Sequence, residues 1–96
     1  MGRGIRPVNL TGSNQAIRTT ASAYHGFSIR ETSGSATATV VIYDNASGNS
    51  GPILDEIKLA SGTALQAYYP GEGLRADFGI YVSVVSGAIE GSVRVS

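Results

Sequence analysis

No stretch of this 96-residue chain sustains the 3.6-residue apolar period of a helix. Its apolar residues fall instead in short runs, many of them alternating, cut by Ser, Gly, Asn and Pro. That pattern is the signature of strands and turns. The clearest strand is Ala36 to Asp44, where Ala36, Ala38, Val40 and Ile42 share one face and Thr37, Thr39, Val41 and Tyr43 the other. Similar runs cover Ala16–Ala21, Tyr24–Thr32, Ile53–Ala60, Ala64–Tyr69, a short piece near Leu74–Phe78, Gly79–Ser86 and Ala88–Val95. The expected fold is therefore all-β, a single β-sandwich (jelly-roll-like) of about eight short antiparallel strands, or a small barrel.

Within that pattern the predicted core is Ile29, Val40, Ile42, Ile57, Leu59, Ile80, Val82, Val84 and Val93. Ser33-Gly34, Ser61-Gly62 and Ser86-Gly87 each sit between two strand-like runs, and glycine supplies the positive φ of tight turns. They read as three hairpins. The longer polar stretch from Asn45 to Pro52 reads as a crossing between sheets. Residues 1–15, with Gly2, Gly4, Pro7 and Gly12 around isolated Ile5, Val8 and Leu10, read as an extended N-terminal arm, leaving 16–96 as the β domain.

Size and composition narrow the function. A chain this short makes one domain with a thin stability margin, and the absence of cysteine removes disulfides, thiolate zinc sites and cysteine nucleophiles. Subunit association is the remaining supplement. Seven basic and seven acidic residues cancel, which argues against nucleic acid or an anionic membrane as partner. The charges are nonetheless segregated: residues 1–30 carry Arg3, Arg6, Arg18 and Arg30 and no acid, while residues 31–96 carry three bases and seven acids. No apolar run reaches the roughly 20 residues of a membrane span, and no signal-like stretch follows Met1, so a soluble product is expected.

Catalytic constellations are not found. His25 is the sole histidine, so a His-based metal cluster cannot form in one chain, and nothing around Ser22 or Ser28 resembles a nucleophile elbow. Gly71-Glu72-Gly73-Leu74-Arg75-Ala76 fits a loose dinucleotide pattern, but a strand-like run follows where a helix is needed. An EF-hand starting at Asp44 would need an oxygen ligand at Ala46 and a glycine at Asn49, which leaves only a weak non-EF calcium reading. Asp55 and Glu56, adjacent on a strand, point to opposite faces and read as solvated. The chain is expected to be non-enzymatic and to need no cofactor.

What remains is surface. Val41, Tyr43, Tyr81 and Val85 lie on the faces opposite the predicted core, and Tyr68 and Tyr69 add aromatic area near a turn. Tyrosine joins an apolar body to a hydrogen-bonding tip and gathers at interfaces. The candidate partner-binding residues are Arg3, Ile5, Arg6, Val8 and Leu10 on the arm, gripping neighbours, and Tyr43, Tyr81 and Val85 in a subunit contact.

A short basic arm, then Tyr24-His25-Gly26-Phe27-Ser28-Ile29-Arg30-Glu31-Thr32-Ser33-Gly34, a Thr/Ala/Val strand ending in Ile42-Tyr43-Asp44, Tyr68-Tyr69-Pro70 and a closing Val-rich hairpin make up nearly the whole chain. Together they resemble small virion proteins of tailed bacteriophages, and are most similar to capsid decoration (cement) proteins. The resemblance implies a jelly-roll or sandwich protein, often a homotrimer, made in the host cytoplasm, that binds the major capsid protein lattice at the virion surface and braces it. It implies no catalytic residues, and it maps capsid contact to the arm alone. The alternatives are a phage tail or fibre component, or a carbohydrate-binding β-sandwich in which Tyr68 and Tyr69 stack on sugars.

Overall fold

A computed structural model of the chain describes residues 4–96. Nine strands and no helix are present among them: β1 (Arg6–Asn9), β2 (Gln15–Arg18), β3 (Ser22–Glu31), β4 (Ala38–Tyr43), β5 (Ile53–Leu59), β6 (Ala64–Tyr68), β7 (Leu74–Ala76), β8 (Ile80–Ser86) and β9 (Ile89–Val95). They form two antiparallel sheets. The first has the order β1-β9-β3-β6, with β7 also on β3; the second has the order β2-β8-β4-β5.

The β6 and β7 segments form one interrupted strand. β6 pairs with Gly26–Arg30 and β7 with Ser22–Tyr24, both antiparallel to β3. Between them residues 69–73 leave the ladder opposite His25, and Tyr69 N still donates to His25 O at 2.8 Å. Taken that way, the pairs β1·β9, β2·β8, β3·β6/β7 and β4·β5 match the first part of the chain to the second in mirror order. The ladders β3·β9 and β4·β8 then complete the two sheets.

Alternation places the core as expected for Ile29, Val40, Ile42, Ile57, Leu59, Ile80, Val82 and Val93, all buried, with Val84 only partly so. Tyr24, Phe27, Ile89 and Val95 join them. Tyr24 and Phe27 cannot share a face in a regular strand, since their separation is odd. A bulge reconciles them: Tyr24 is opposite Val95 and Gly26 is opposite Arg94, so β3 holds one extra residue and its phase slips. Gly26 has φ 122° there, and a Cβ on it would stand 2.0 Å from Ala67 O. Only glycine fits.

The connections reverse the sequence expectation. Gly34, Gly62 and Gly87 do have positive φ, but Ser33-Gly34 leads from the first sheet to the second, and Ser61-Gly62 and Ser86-Gly87 lead back. None closes a hairpin. The Asn45–Pro52 stretch, expected to cross between sheets, instead joins β4 to its antiparallel neighbour β5, with Asp44 N donating to Pro52 O at 2.8 Å. A positive φ dictates a sharp bend, not which strand receives the chain afterwards.

The extended arm over 1–15 is not seen among the described residues. Arg6–Asn9 is an edge strand paired with β9, Leu10 N donates to Gly91 O at 2.9 Å, and Gln15 already belongs to β2. Its ladder partner lies at the far end of the chain, so local composition carried no trace of it.

Candidate interaction surface and its supporting network

On the outer face of the second sheet, register aligns one residue from each strand. Ala16 is opposite Tyr81, Tyr81 opposite Tyr43, and Tyr43 opposite Ile53. The row runs across all four strands: Ala16 is exposed, the two tyrosines are half-buried, and Ile53 is 58% exposed. One step along, Val41 is opposite Ser83. Both are buried, although Val41 stands outside the core cluster. The apolar and aromatic row is flanked by charge: Glu56 lies opposite Val41 and Lys58 opposite Thr39, both exposed at the β5 edge of the same face.

The predicted contact residues divide. Tyr43 and Tyr81 are brought together as direct cross-strand neighbours. Val85 does not share their row: it is the extra residue where Thr39 is opposite Ser86 but Val40 is opposite Val84, and the bulge leaves it 61% exposed. Ile5 and Arg6 are exposed at the edge of the other sheet. Val8 and Leu10 pack against the core of their own molecule, so their apolar surface is already covered in part. Arg3 lies outside the described residues. Sequence reasoning missed Ile53, Leu65 and Phe78, all large and exposed, because alternation was used to find buried positions.

Behind these surfaces, the buried ionisable groups are engaged in the framework. Asp44, at the end of β4, accepts from the backbone N–H of Asp77 (2.9 Å), Phe78 (2.8 Å) and Gly79 (3.4 Å). Burial works to raise its pKa, but these three donors outweigh burial and the net shift is downward. Three N–H donors take up most of the acceptor capacity of this carboxylate. Glu31 accepts from Ser33 Oγ (2.5 Å), Ser33 N (2.8 Å), Gly34 N (2.8 Å) and Gly62 N (2.9 Å), fastening two of the crossings to each other. The Ser33 hydroxyl and then the Gly62 amide bring its pKa to about 2.

Asp55 is not solvated as expected. It is partly buried and accepts from Tyr24 Oη (3.1 Å) and Tyr69 Oη (3.0 Å), two rings whose centroids are 5.9 Å apart. Burial, followed by the charge of Asp55, pushes the Tyr24 hydroxyl upward; burial and the Asp55 hydrogen bond do the same to Tyr69. His25 is 2% exposed, with Nδ1 3.0 Å from Tyr69 O and Nε2 2.9 Å from Ser96 Oγ. A carbonyl only accepts, so Nδ1 carries a proton. The ring is a bracket for the 69–73 excursion. Among the described residues no three His, Asp or Glu side chains converge as metal ligands.

No protein-family model, curated protein or solved structure matches the chain. Among the described residues no helix is long and apolar enough to cross a membrane.

Proposed function

We propose that the chain is a non-enzymatic structural module, a jelly-roll β-sandwich that binds and braces the capsid shell of a tailed bacteriophage as a decoration protein. The mirror-order pairing supports the jelly roll: a long antiparallel hairpin with its tip at the β4–β5 loop, rolled up so that β3·β9 and β4·β8 close the sheets, gives these strand orders. The single observation that carries the function is the Ala16–Tyr81–Tyr43–Ile53 row. A row with exposed Ala16 and Ile53 at its ends and two half-buried tyrosines between them suits contact with another protein. The engagement of Asp44, Glu31, Asp55 and His25 in internal hydrogen bonds supports a non-catalytic role.

Cosedimentation of the purified protein with shells of the tailed phage whose genome carries its gene tests this reading. The protein pellets with the shells, and Tyr43→Ser/Tyr81→Ser, which removes two exposed-face rings, does not. Absence of the wild-type protein from both shells and virions would overturn it.

A carbohydrate-binding module is the second reading, favoured by one observation: Tyr68 is 56% exposed beside a shallow groove of about 330 Å³ lined also by Gln66 and Arg94. Tyr69 turns inward to Asp55, so the two tyrosines cannot form a joint stacking platform. Glycan-array binding lost in Tyr68→Ala favours this alternative.

A further inference from the structure

The two sheets end in four edges, β1 and the interrupted β6/β7 on the first and β2 and β5 on the second. An edge exposes unpaired N–H and C=O groups that template pairing with another chain, and proteins blunt edges with charges, proline or bulges. Three of these edges carry such devices. β1 has Arg6 and Pro7. β2 is bulged between Ala16 and Arg18, and its Gln15 side chain donates to Asn9 O at 3.1 Å. β5 contains Asp55, Glu56 and Lys58. On the fourth edge the blocking features, Pro70, Glu72 and Arg75, are confined to the 69–73 excursion and β7; β6 itself, Ala64-Leu65-Gln66-Ala67-Tyr68, has no charge, no proline and no bulge against β3, and Leu65 is 48% and Tyr68 56% exposed.

Its free groups can be identified. Thr63 O accepts from Glu31 N at 2.9 Å, and Tyr69 N donates to His25 O at 2.8 Å, so both residues face β3. The hydrogen-bonding direction alternates along an antiparallel strand. Leu65 and Ala67 therefore also face β3, and Ala64, Gln66 and Tyr68 direct their N–H and C=O groups away from the sheet.

We propose that β6 pairs antiparallel with β6 of a second copy across a twofold axis at Gln66, joining two first sheets into one continuous sheet. The outward groups fix the register: Gln66 opposite the second Gln66, and Ala64 opposite the second Tyr68. Set antiparallel to a copy of itself, the strand is complementary, each off-centre pair joining a small residue to a large one, and this is why the occupant is a second copy. A small residue meets a large one at each end, amide meets amide at the centre, and half-exposed Leu65 falls against the other Ala67. No like charges meet, since nearby Arg30 and Glu90 are paired with each other. This contact is on the opposite sheet from Tyr43 and Tyr81 and does not rest on the capsid reading. One short strand buries little area, so the dimer is a weak one, with Kd roughly micromolar to millimolar.

The chain lacks cysteine, so Gln66→Cys can form disulfides only between molecules. Across a hydrogen-bonded antiparallel pair the Cα atoms are about 5.5 Å apart, within disulfide reach. Mild oxidation is expected to convert Gln66→Cys to covalent dimer and to leave a Glu56→Cys control, on the β5 edge, mostly monomeric. In sedimentation equilibrium the wild-type mass rises with concentration toward twice the 9.9 kDa monomer. Gln66→Lys, exposed and outside the core, stays monomeric with an unchanged circular dichroism spectrum. The proposal fails if the wild-type protein remains monomeric to millimolar concentration, if Gln66→Lys dimerises equally, or if Gln66→Cys crosslinks no more than the control.

Discussion

Tyr24, buried in the first sheet, donates its hydroxyl to Asp55 on the second at 3.1 Å, a polar tie across the core. Removing the acceptor leaves a buried hydroxyl without a partner, which costs about 1 to 3 kcal/mol. Asp55→Ala is expected to lower stability by that amount. Tyr24→Phe costs less, because Asp55 keeps Tyr69, and the double variant falls short of the sum of the singles. Urea unfolding of the four proteins checks this, and an Asp55→Ala midpoint equal to wild type would refute the tie.

Acid should act through Glu31. Its folded pKa of about 2 is below its ordinary value of 4.5, so it stabilises the fold fully above the ordinary value and loses that contribution as pH falls toward 2. The downward shift of Asp44 acts in the same direction. Denaturation midpoints are expected to fall between pH 4.5 and 2, and less steeply in Glu31→Gln, which cannot titrate. Parallel slopes for the two proteins would show that Glu31 does not contribute.

Two glycines separate conformational strain from collision. At Gly34, with φ 73° and nothing within 4 Å of an added Cβ, alanine meets only the left-handed backbone cost of about 1 to 2 kcal/mol. At Gly26 the added carbon meets backbone that cannot rotate away, and Gly26→Ala is expected to cost at least about 3 kcal/mol or to prevent folding. Thermal melting of both variants distinguishes them, and equal losses would contradict the bulge geometry.

His25→Ala removes both ring contacts at once and should loosen the 69–73 excursion, leaving it tied to β3 only through Tyr69 N and His25 O. Amide exchange at Gly71 to Gly73 is expected to quicken, with a global loss of about 1 to 3 kcal/mol. Unchanged exchange there would mean that the ring does not hold the excursion.

Strands were legible in this sequence wherever a β-branched run alternates, as in Ala36–Asp44, because one buried face imposes a period of two. The bends at Gly34, Gly62 and Gly87 were legible too, since positive φ is a local demand. Their destinations were not. Whether the next strand pairs with the last or crosses to the other sheet depends on partners far along the chain, and β1 pairs with β9 from the opposite end. The inward Tyr24 was hidden by the extra residue at the bulge. The clamp on Asp44 was invisible because its donors, Asp77 to Gly79, are more than thirty residues away. Of the contact surface, Tyr43 and Tyr81 could be read from alternation, but their alignment with Ala16 and Ile53 required the register.

The placement of β9 between β1 and β3, and of β8 between β2 and β4, bears on how the molecule is made. A ribosome delivers residues 80–95 after the strands they must separate, so on a nascent chain β3 lacks β9 and β4 lacks β8. Neither layer can close during translation until that last stretch has cleared the exit tunnel. The earlier strands must wait with their flanks open, and the time spent in that half-built condition is when aggregation is most dangerous for this protein.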